Sequence, residues 1–290
     1  MKKIPLIIDC DPGIDDLFAI MMMDSCNQYE IRGVTPVGGN QSYDKTTKNA
    51  LDIVDYIGID CFVARGADKT ITRCPFVGAP HIHGESGLGT LALPPAKRDF
   101  DTRYAWDAIY DEAVKANGDL EILAIGPLTN IAIAVIKYPQ LPKLVKRLVI
   151  MGGSAGVGNT LPHAEFNIVC DPEACQIVLN AGFNMTLFGL SATFQPLLEK
   201  EFFDAMAAIP TRIQPVFDAM AVDFKELIDR LSERCGGAIH DAIAAAYLMD
   251  DSVAGVEKHF VTTELHSELM KGTTLVDYRG SLGKQPNCDV

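Results

Sequence analysis

Ile4-Pro-Leu-Ile-Ile-Asp-Cys-Asp-Pro-Gly-Ile-Asp-Asp16 places four carboxylates directly behind an apolar run. The run Ile4 to Ile8 reads as a buried strand, and the apolar segment from Phe18 reads as the helix after it. Pro12-Gly13 makes the turn between them. Side chains alternate along a strand, so Asp9 and Asp11 are expected on one side. Asp15 and Asp16 open the helix, where its dipole favours negative charge. Four acids converging on one strand end repel one another. A hard cation with oxygen ligands, Ca²⁺ or Mg²⁺, relieves that repulsion at least cost. These residues therefore point to a metal site at the carboxyl end of a parallel strand, the usual ligand crevice of open α/β sheets.

The rest of the chain supports that class. Strand-like and helix-like segments alternate: Ile31 to Pro36, Tyr43 to Ile57, Cys61 to Ala64, Tyr104 to Ala116, Leu120 to Ile125, Leu128 to Lys137, Leu148 to Met151, Asp171 to Asn180 and Met185 to Phe188. The alternation predicts an open, mostly parallel sheet with helices on both faces. After Ser191 the pattern turns helical, over Leu197 to Ala208, Arg212 to Leu231 and His240 to Met249, so extra helices fill the C-terminal third. Two late strands are expected near Phe260 to Leu265 and Thr274 to Tyr278. Long loops follow the strands, from Gly78 to Gly89 and from Gly152 to Asn167, and such loops usually carry function.

The 290 residues are 48% apolar, enough for a sizeable core, and carry a formal charge of −13. That charge argues against a nucleic-acid surface but not against a nucleoside, which has no phosphate. Eight cysteines are scattered without a Cys-x-x-Cys pair, the usage expected of reduced thiols in a cytoplasmic protein. A signal peptide would have to include the acidic strand, so secretion is not expected. No apolar run reaches the ~18 residues of a membrane span.

Five further elements carry polar chemistry. His240-Asp241 opens an apolar helix after Gly236-Gly237; alone, such an aspartate is most often a cap. Ala164-Glu-Phe-Asn167, with Asn159 upstream, offers groups that accept from and donate to neutral hydroxyls. Val37-Gly-Gly-Asn40 follows a strand and by itself reads as a glycine turn. His81-Ile-His-Gly-Glu-Ser-Gly87 has a His-x-His spacing but no third ligand at a zinc interval, and reads as a mobile loop. Gly126-Pro-Leu-Thr-Asn130 ends a strand whose last carbonyl suits Ca²⁺.

Together with Met151-Gly-Gly153 and Asp171-Pro-Glu173, these elements occur in an order that resembles the nucleoside hydrolases, specifically the inosine-uridine-preferring or non-specific ribonucleoside hydrolases. The resemblance spans most of the chain. It implies a single nucleoside hydrolase domain over residues 1–290 that cleaves the N-glycosidic bond of ribonucleosides to free base and ribose, for nucleoside salvage. It implies one Ca²⁺ held by Asp11, Asp16, Asp241 and the backbone carbonyl of Ile125. Asp15 then matches the general base, and Asn40 the residue that positions water and ribose. Asn159, Glu165 and Asn167 match the groups that grip ribose hydroxyls, with Met151 and Phe166 lining that pocket. His83 and His240 match the base-side histidines, and Asp9 fits a supporting role behind the ligands. His240 titrates near neutrality and is the natural acid for the leaving base. The partners implied are a small-molecule ribonucleoside and further copies of the chain in a homo-oligomer, with no nucleic acid and no membrane.

The chain departs from the family pattern at three places. Ile228 stands where relatives carry a tyrosine twelve residues before the site histidine, with the loop from Ser232 to Gly237 able to shift that register. Ser191 and Phe194 replace an acid and a polar residue in Gly189-Leu-Ser-Ala-Thr-Phe-Gln195. The chain stops at Asn287-Cys-Asp-Val290, where the family continues through one more strand and a helix. Two other classes compete. A phosphatase of the haloacid-dehalogenase type also begins with a strand and Asp-x-Asp, but Gly13 stands where it needs Thr or Val. A non-catalytic Ca²⁺ or ribonucleoside binder on the same scaffold would not need Asp15, which is kept.

Overall fold

The computed structural model describes residues 2–231 and 237–290, so most of the loop expected before His240 lies outside the described residues. Its main sheet is built from β1 (Ile4–Cys10), β2 (Tyr29–Pro36), β3 (Phe62–Val63), β4 (Leu120–Ala124), β5 (Val145–Met151), β6 (Met185–Phe188), β7 (Lys258–His259) and, from the last residues of the chain, β10 (Cys288–Asp289). The strand order is β3-β2-β1-β4-β5-β6-β10-β7. All neighbours run parallel except β7, which is antiparallel to β10. The order grows outward from β1 in one direction and from β4 in the other. The crevice between β1 and β4 is therefore the topological switch point, where open α/β sheets bind their ligands.

The alternation in the strands decides which helix covers which face. On one side Leu6 and Ile8 of β1, Leu123 of β4 and Val149 and Met151 of β5 pack with α1 (Ile14–Ser25), α2 (Tyr43–Ile57), α10 (Gln214–Leu231) and α11 (His240–Met249). On the other side Ile7, Ile122, Ala124, Leu148 and Ile150 pack with α4 (Ala105–Ala116), α5 (Thr129–Lys137) and α7 (Pro172–Leu179). Strands buried on both faces read as continuous apolar runs, as these do. Each Leu or Ile so buried is worth about 1.5–3 kcal/mol relative to exposure.

Several boundaries move from the expected positions. His81-Ile-His83, expected in a loop, lies in the short helix α3 (Pro80–His83), begun by a proline at its first position. The long loop after β5 ends at α6 (Phe166–Cys170), capped by Glu165. Between β6 and α9 (Lys200–Ala207) the chain forms the single turn α8 (Leu190–Thr193), so the helix expected from Leu197 starts three residues later. The late strands β8 (Val261–Thr263) and β9 (Thr274–Val276) pair with each other as an antiparallel ribbon and not with the main sheet. No helix among the described residues is long and apolar enough to cross a membrane.

Candidate active site

The turn after β1 is shaped by two close approaches. A Cβ on Gly13 would stand 2.5 Å from His83 Nδ1 and 2.8 Å from Asn40 Nδ2, and one on Gly39 would stand 2.0 Å from Asp11 Oδ2. Glycine at both positions lets the β1 and β2 loops close around the acids. Asp11 Oδ2 accepts the Asn40 backbone N–H at 2.7 Å. Asn40 Nδ2 donates to the Asp11 carbonyl at 3.2 Å and to Asp16 Oδ2 at 3.1 Å. Asp16, in the first turn of α1, accepts the Gly13 N–H at 2.8 Å and the Asp11 N–H at 3.1 Å. It is a helix-capping acid as well as a member of the cluster.

One carboxylate oxygen from each of Asp15, Asp16 and Asp241 lies within 4.8 Å of the others. Asp241 reaches this point from the first turn of α11. Asp11 is outside that trio but beside it, and its Oδ1 is buried without a hydrogen-bond partner; Asp15 Oδ1 is orphaned in the same way. Burial, reinforced by the neighbouring acids, pushes Asp11 and Asp241 well above the usual carboxylate range and Asp16 to about 8. Asp9 lies behind the cluster, where its Oδ2 accepts from Thr35 Oγ1 at 2.6 Å and Asn130 Nδ2 at 2.9 Å. Burial raises its pKa to about 7.

Orphaned buried carboxylate oxygens, mutually raised pKa values and an all-oxygen donor set fit a hard divalent cation. The acidic cluster is thus able to hold a metal. The carbonyl of Ile125, at the end of β4, accepts from Asn167 Nδ2 at 2.9 Å and retains a second lone pair.

A cavity of about 420 Å³ opens above the cluster. Eleven of the thirteen residues given a metal-ligand, catalytic or substrate-binding role from the sequence line it: Asp15, Asn40, His83, Ile125, Met151, Asn159, Glu165, Phe166, Asn167, His240 and Asp241. Asp11 and Asp16 lie beneath its floor, fully buried. No lysine or arginine lines it among the described residues.

Glu165 is the N-cap of α6. Its Oε1 accepts from the Asn167 N–H at 2.9 Å, and its Oε2 from Gly153 at 2.9 Å and Ile168 at 3.2 Å. Burial holds its pKa up at about 7. Asn159 Oδ1 accepts the Phe166 N–H at 3.0 Å, tying the loop after β5 to the same helix start. Asn167 Nδ2 also donates to the Met151 carbonyl at 3.2 Å.

On the opposite side, His83 is buried, with Nδ1 3.8 Å from Asp15 Oδ1. His240 Nδ1 lies 2.7 Å from Thr193 Oγ1. Burial lowers the pKa of both histidines, against the pull of Asp15. Phe194, Phe224, Leu227 and Leu231 complete an apolar wall that sequence reasoning did not place at the site. The helical spacing of Phe224, Leu227 and Leu231 marks α10 as amphipathic but does not say that its apolar face meets a cavity. Ile228, at the expected tyrosine position, packs into the core and does not line the cavity.

The family model for inosine-uridine preferring nucleoside hydrolases matches residues 6–290. The non-specific ribonucleoside hydrolase RihC of Salmonella typhimurium is 36% identical over 285 residues, covering 98% of this chain and 91% of its own. Among solved structures, the purine-preferring ribonucleoside hydrolase from Gardnerella vaginalis superposes with a TM-score of 0.92 at 28% identity, covering 99% of this chain and 92% of that one. A plant nucleoside hydrolase, PpNRh1, superposes with a TM-score of 0.91 at 26% identity, covering 100% and 94%.

Proposed function

The chain belongs to the inosine-uridine preferring nucleoside hydrolase family, and we propose on that basis that its cavity cleaves the N-glycosidic bond of neutral ribonucleosides in a Ca²⁺-dependent reaction. The observation that carries this reading is the carboxylate trio of Asp15, Asp16 and Asp241 at the floor of a nucleoside-sized cavity. Asp11, Asp16, Asp241 and the Ile125 carbonyl are the groups that would hold Ca²⁺. An ion bound there neutralises the acids and lowers the pKa of a water, though less than zinc does.

The chain's own residues then divide the work. Asp15 Oδ1 has no partner and accepts the proton of the attacking water. The water oxygen bonds to C1′ of the ribose, and the electron pair of the glycosidic bond leaves with the base. Asn40, fixed by its bonds to Asp11 and Asp16, orients the water and ribose. Asn159, Glu165 and Asn167 engage the ribose hydroxyls, and Met151 and Phe166 enclose the sugar. The dense carboxylates stabilise positive charge as it grows on the ribose. His83 and His240 face the base, where negative charge grows.

Residues 1–290 act as one domain in this reading. Family resemblance supports a homo-oligomer that serves nucleoside salvage. The acidic surface and the scattered free cysteines, seven of them described, support a cytoplasmic enzyme with no nucleic-acid or membrane partner. A non-catalytic binder is disfavoured because Asp15 keeps a carboxylate oxygen buried at the cavity without a hydrogen-bond partner, a cost that a binding role alone does not explain.

The test is product analysis with inosine, uridine, cytidine and adenosine. Free ribose and free base in equal amounts are expected from at least one of them. Binding without ribose release from any of the four would make the chain a binder.

A further inference from the structure

Gly189-Leu-Ser-Ala-Thr-Phe-Gln195 carries two of the departures from the family pattern, and the structure separates them. Ser191 is exposed on α8, with its carbonyl accepting from Gln195 Nε2, and does not line the cavity. Phe194 does line it, and its ring stands at 83° to the His240 imidazole with centroids 4.8 Å apart. Thr193, just before it, is fully buried, and its hydroxyl lies 2.7 Å from His240 Nδ1.

The direction of that hydrogen bond follows from counting donors and acceptors. Among the described residues the Thr193 hydroxyl has no other partner. If Nδ1 carried the ring proton and donated it to Oγ1, the hydroxyl's own hydrogen would be buried with no acceptor, an expensive state. If the hydroxyl donates to Nδ1, both groups are satisfied. The neutral ring then carries its proton on Nε2, the nitrogen left free for the cavity.

We propose that Thr193 and Phe194 are positioning residues that hold His240 as the Nε2–H tautomer and aim that N–H at the leaving base. The proposal rests on the hydrolase reading above. Thr193 sets the tautomer, and the perpendicular Phe194 ring blocks rotation of the imidazole. As the C1′–N bond breaks, its electron pair passes to the base nitrogen. The Nε2–H hydrogen bond stabilises that charge without itself transferring, and the released base takes its proton from solvent. Purines and pyrimidines both carry an acceptor beside the glycosidic nitrogen, a ring nitrogen or a carbonyl oxygen. A single N–H donor set against an apolar wall of Phe224, Leu227 and Leu231 therefore serves either class.

The experiment uses the full chain loaded with Ca²⁺ and labelled with ¹⁵N-histidine. Two-bond ¹H–¹⁵N correlations read the tautomer of His240, assigned by its loss in His240→Asn. Steady-state rates are then compared for inosine and for p-nitrophenyl riboside, whose leaving group needs no stabilisation. We expect the Nε2–H form in the unmodified chain. Thr193→Val should lower kcat for inosine ~10-fold or more, with KM and the p-nitrophenyl riboside rate changing less than ~3-fold. Thr193→Ser, which keeps the hydroxyl, should restore the inosine rate. An Nδ1–H tautomer in the unmodified chain would overturn the proposal even if Thr193→Val failed to fold. So would equal losses on both substrates, or an unchanged inosine rate in a folded Thr193→Val protein. An unmodified chain that shows Nε2–H but releases no ribose from any nucleoside would end the hydrolase reading and leave the placement of His240 standing.

Discussion

At the residue scale, the acids at the end of β1 differ in what already occupies them. Asp16 has both oxygens engaged by backbone N–H groups and Asn40, and Asp11 has one oxygen engaged. Asp15 keeps an unpartnered buried oxygen beside the cavity. Asp15→Asn should therefore lower kcat for inosine by at least ~10²-fold, because the amide cannot accept the water's proton. The melting temperature should stay near that of the unmodified chain, since no hydrogen bond within the fold depends on the lost charge. Near-normal turnover in a folded Asp15→Asn protein would remove Asp15 from the role of base. The acids were legible in the sequence because four carboxylates at one strand end have no ordinary structural use. Thr193 and Phe194 were not legible. Phe194 stood out only as a departure from the family pattern, Thr193 carried no signal, and only the chain path of α8 brings them to His240. Glu165 was legible as polar, but its work as the N-cap of α6 shows only where the chain turns.

At the element scale, the two lips of the cavity come from distant parts of the chain. One is α3 with the glycine-rich segment after it, which carries His83; the other is α10, which supplies the apolar wall. Asp223 on α10 joins them, accepting the Thr90 N–H at 3.0 Å and 3.1 Å. Asp223→Ala removes that tie while leaving every cavity-lining side chain in place. Its KM for inosine should rise ~3- to 10-fold with a smaller change in kcat, because a looser lip weakens the bound state more than the chemical step. Unchanged KM would show that the lips hold without the tie. Longer elements were readable almost to the residue, as with the amphipathic α2 and the apolar run of α11, whose predicted and observed bounds coincide. Short elements fixed by tertiary contacts were not. The helix α3 is four residues long, and β10 is two residues that pair with β6 and β7. Neither holds enough sequence to show a period.

At the scale of the whole molecule, the sheet has a chemical end and a structural end. Opposite the cavity, Glu121 of β4 is buried and accepts from Tyr29 Oη at 2.8 Å, Lys146 Nζ at 2.9 Å and Arg147 Nη2 at 2.8 Å. Burial alone would raise its pKa, but the three donors outweigh it and hold the carboxyl below its ordinary 4.5. A depressed folded-state pKa gives stability that is present above about pH 4.5 and is lost as pH falls through the lower folded value. Glu121→Gln should thus cost about 2 kcal/mol in denaturant unfolding at pH 7, and the difference should shrink below pH 4.5. A difference independent of pH would assign the loss to packing. The parallel architecture was legible from the alternation of apolar runs and helices. The strand order, and with it the switch point between β1 and β4, became visible only in the pairing. At the other end of the sheet, the gathered acids are proposed to form a metal-dependent site for breaking a glycosidic bond. Titrating Ca²⁺ into metal-depleted protein while following ribose release from inosine tests it most directly. Negligible release without the ion and a saturable return of activity at one Ca²⁺ per chain are the expected results. Full turnover in excess chelator would contradict it.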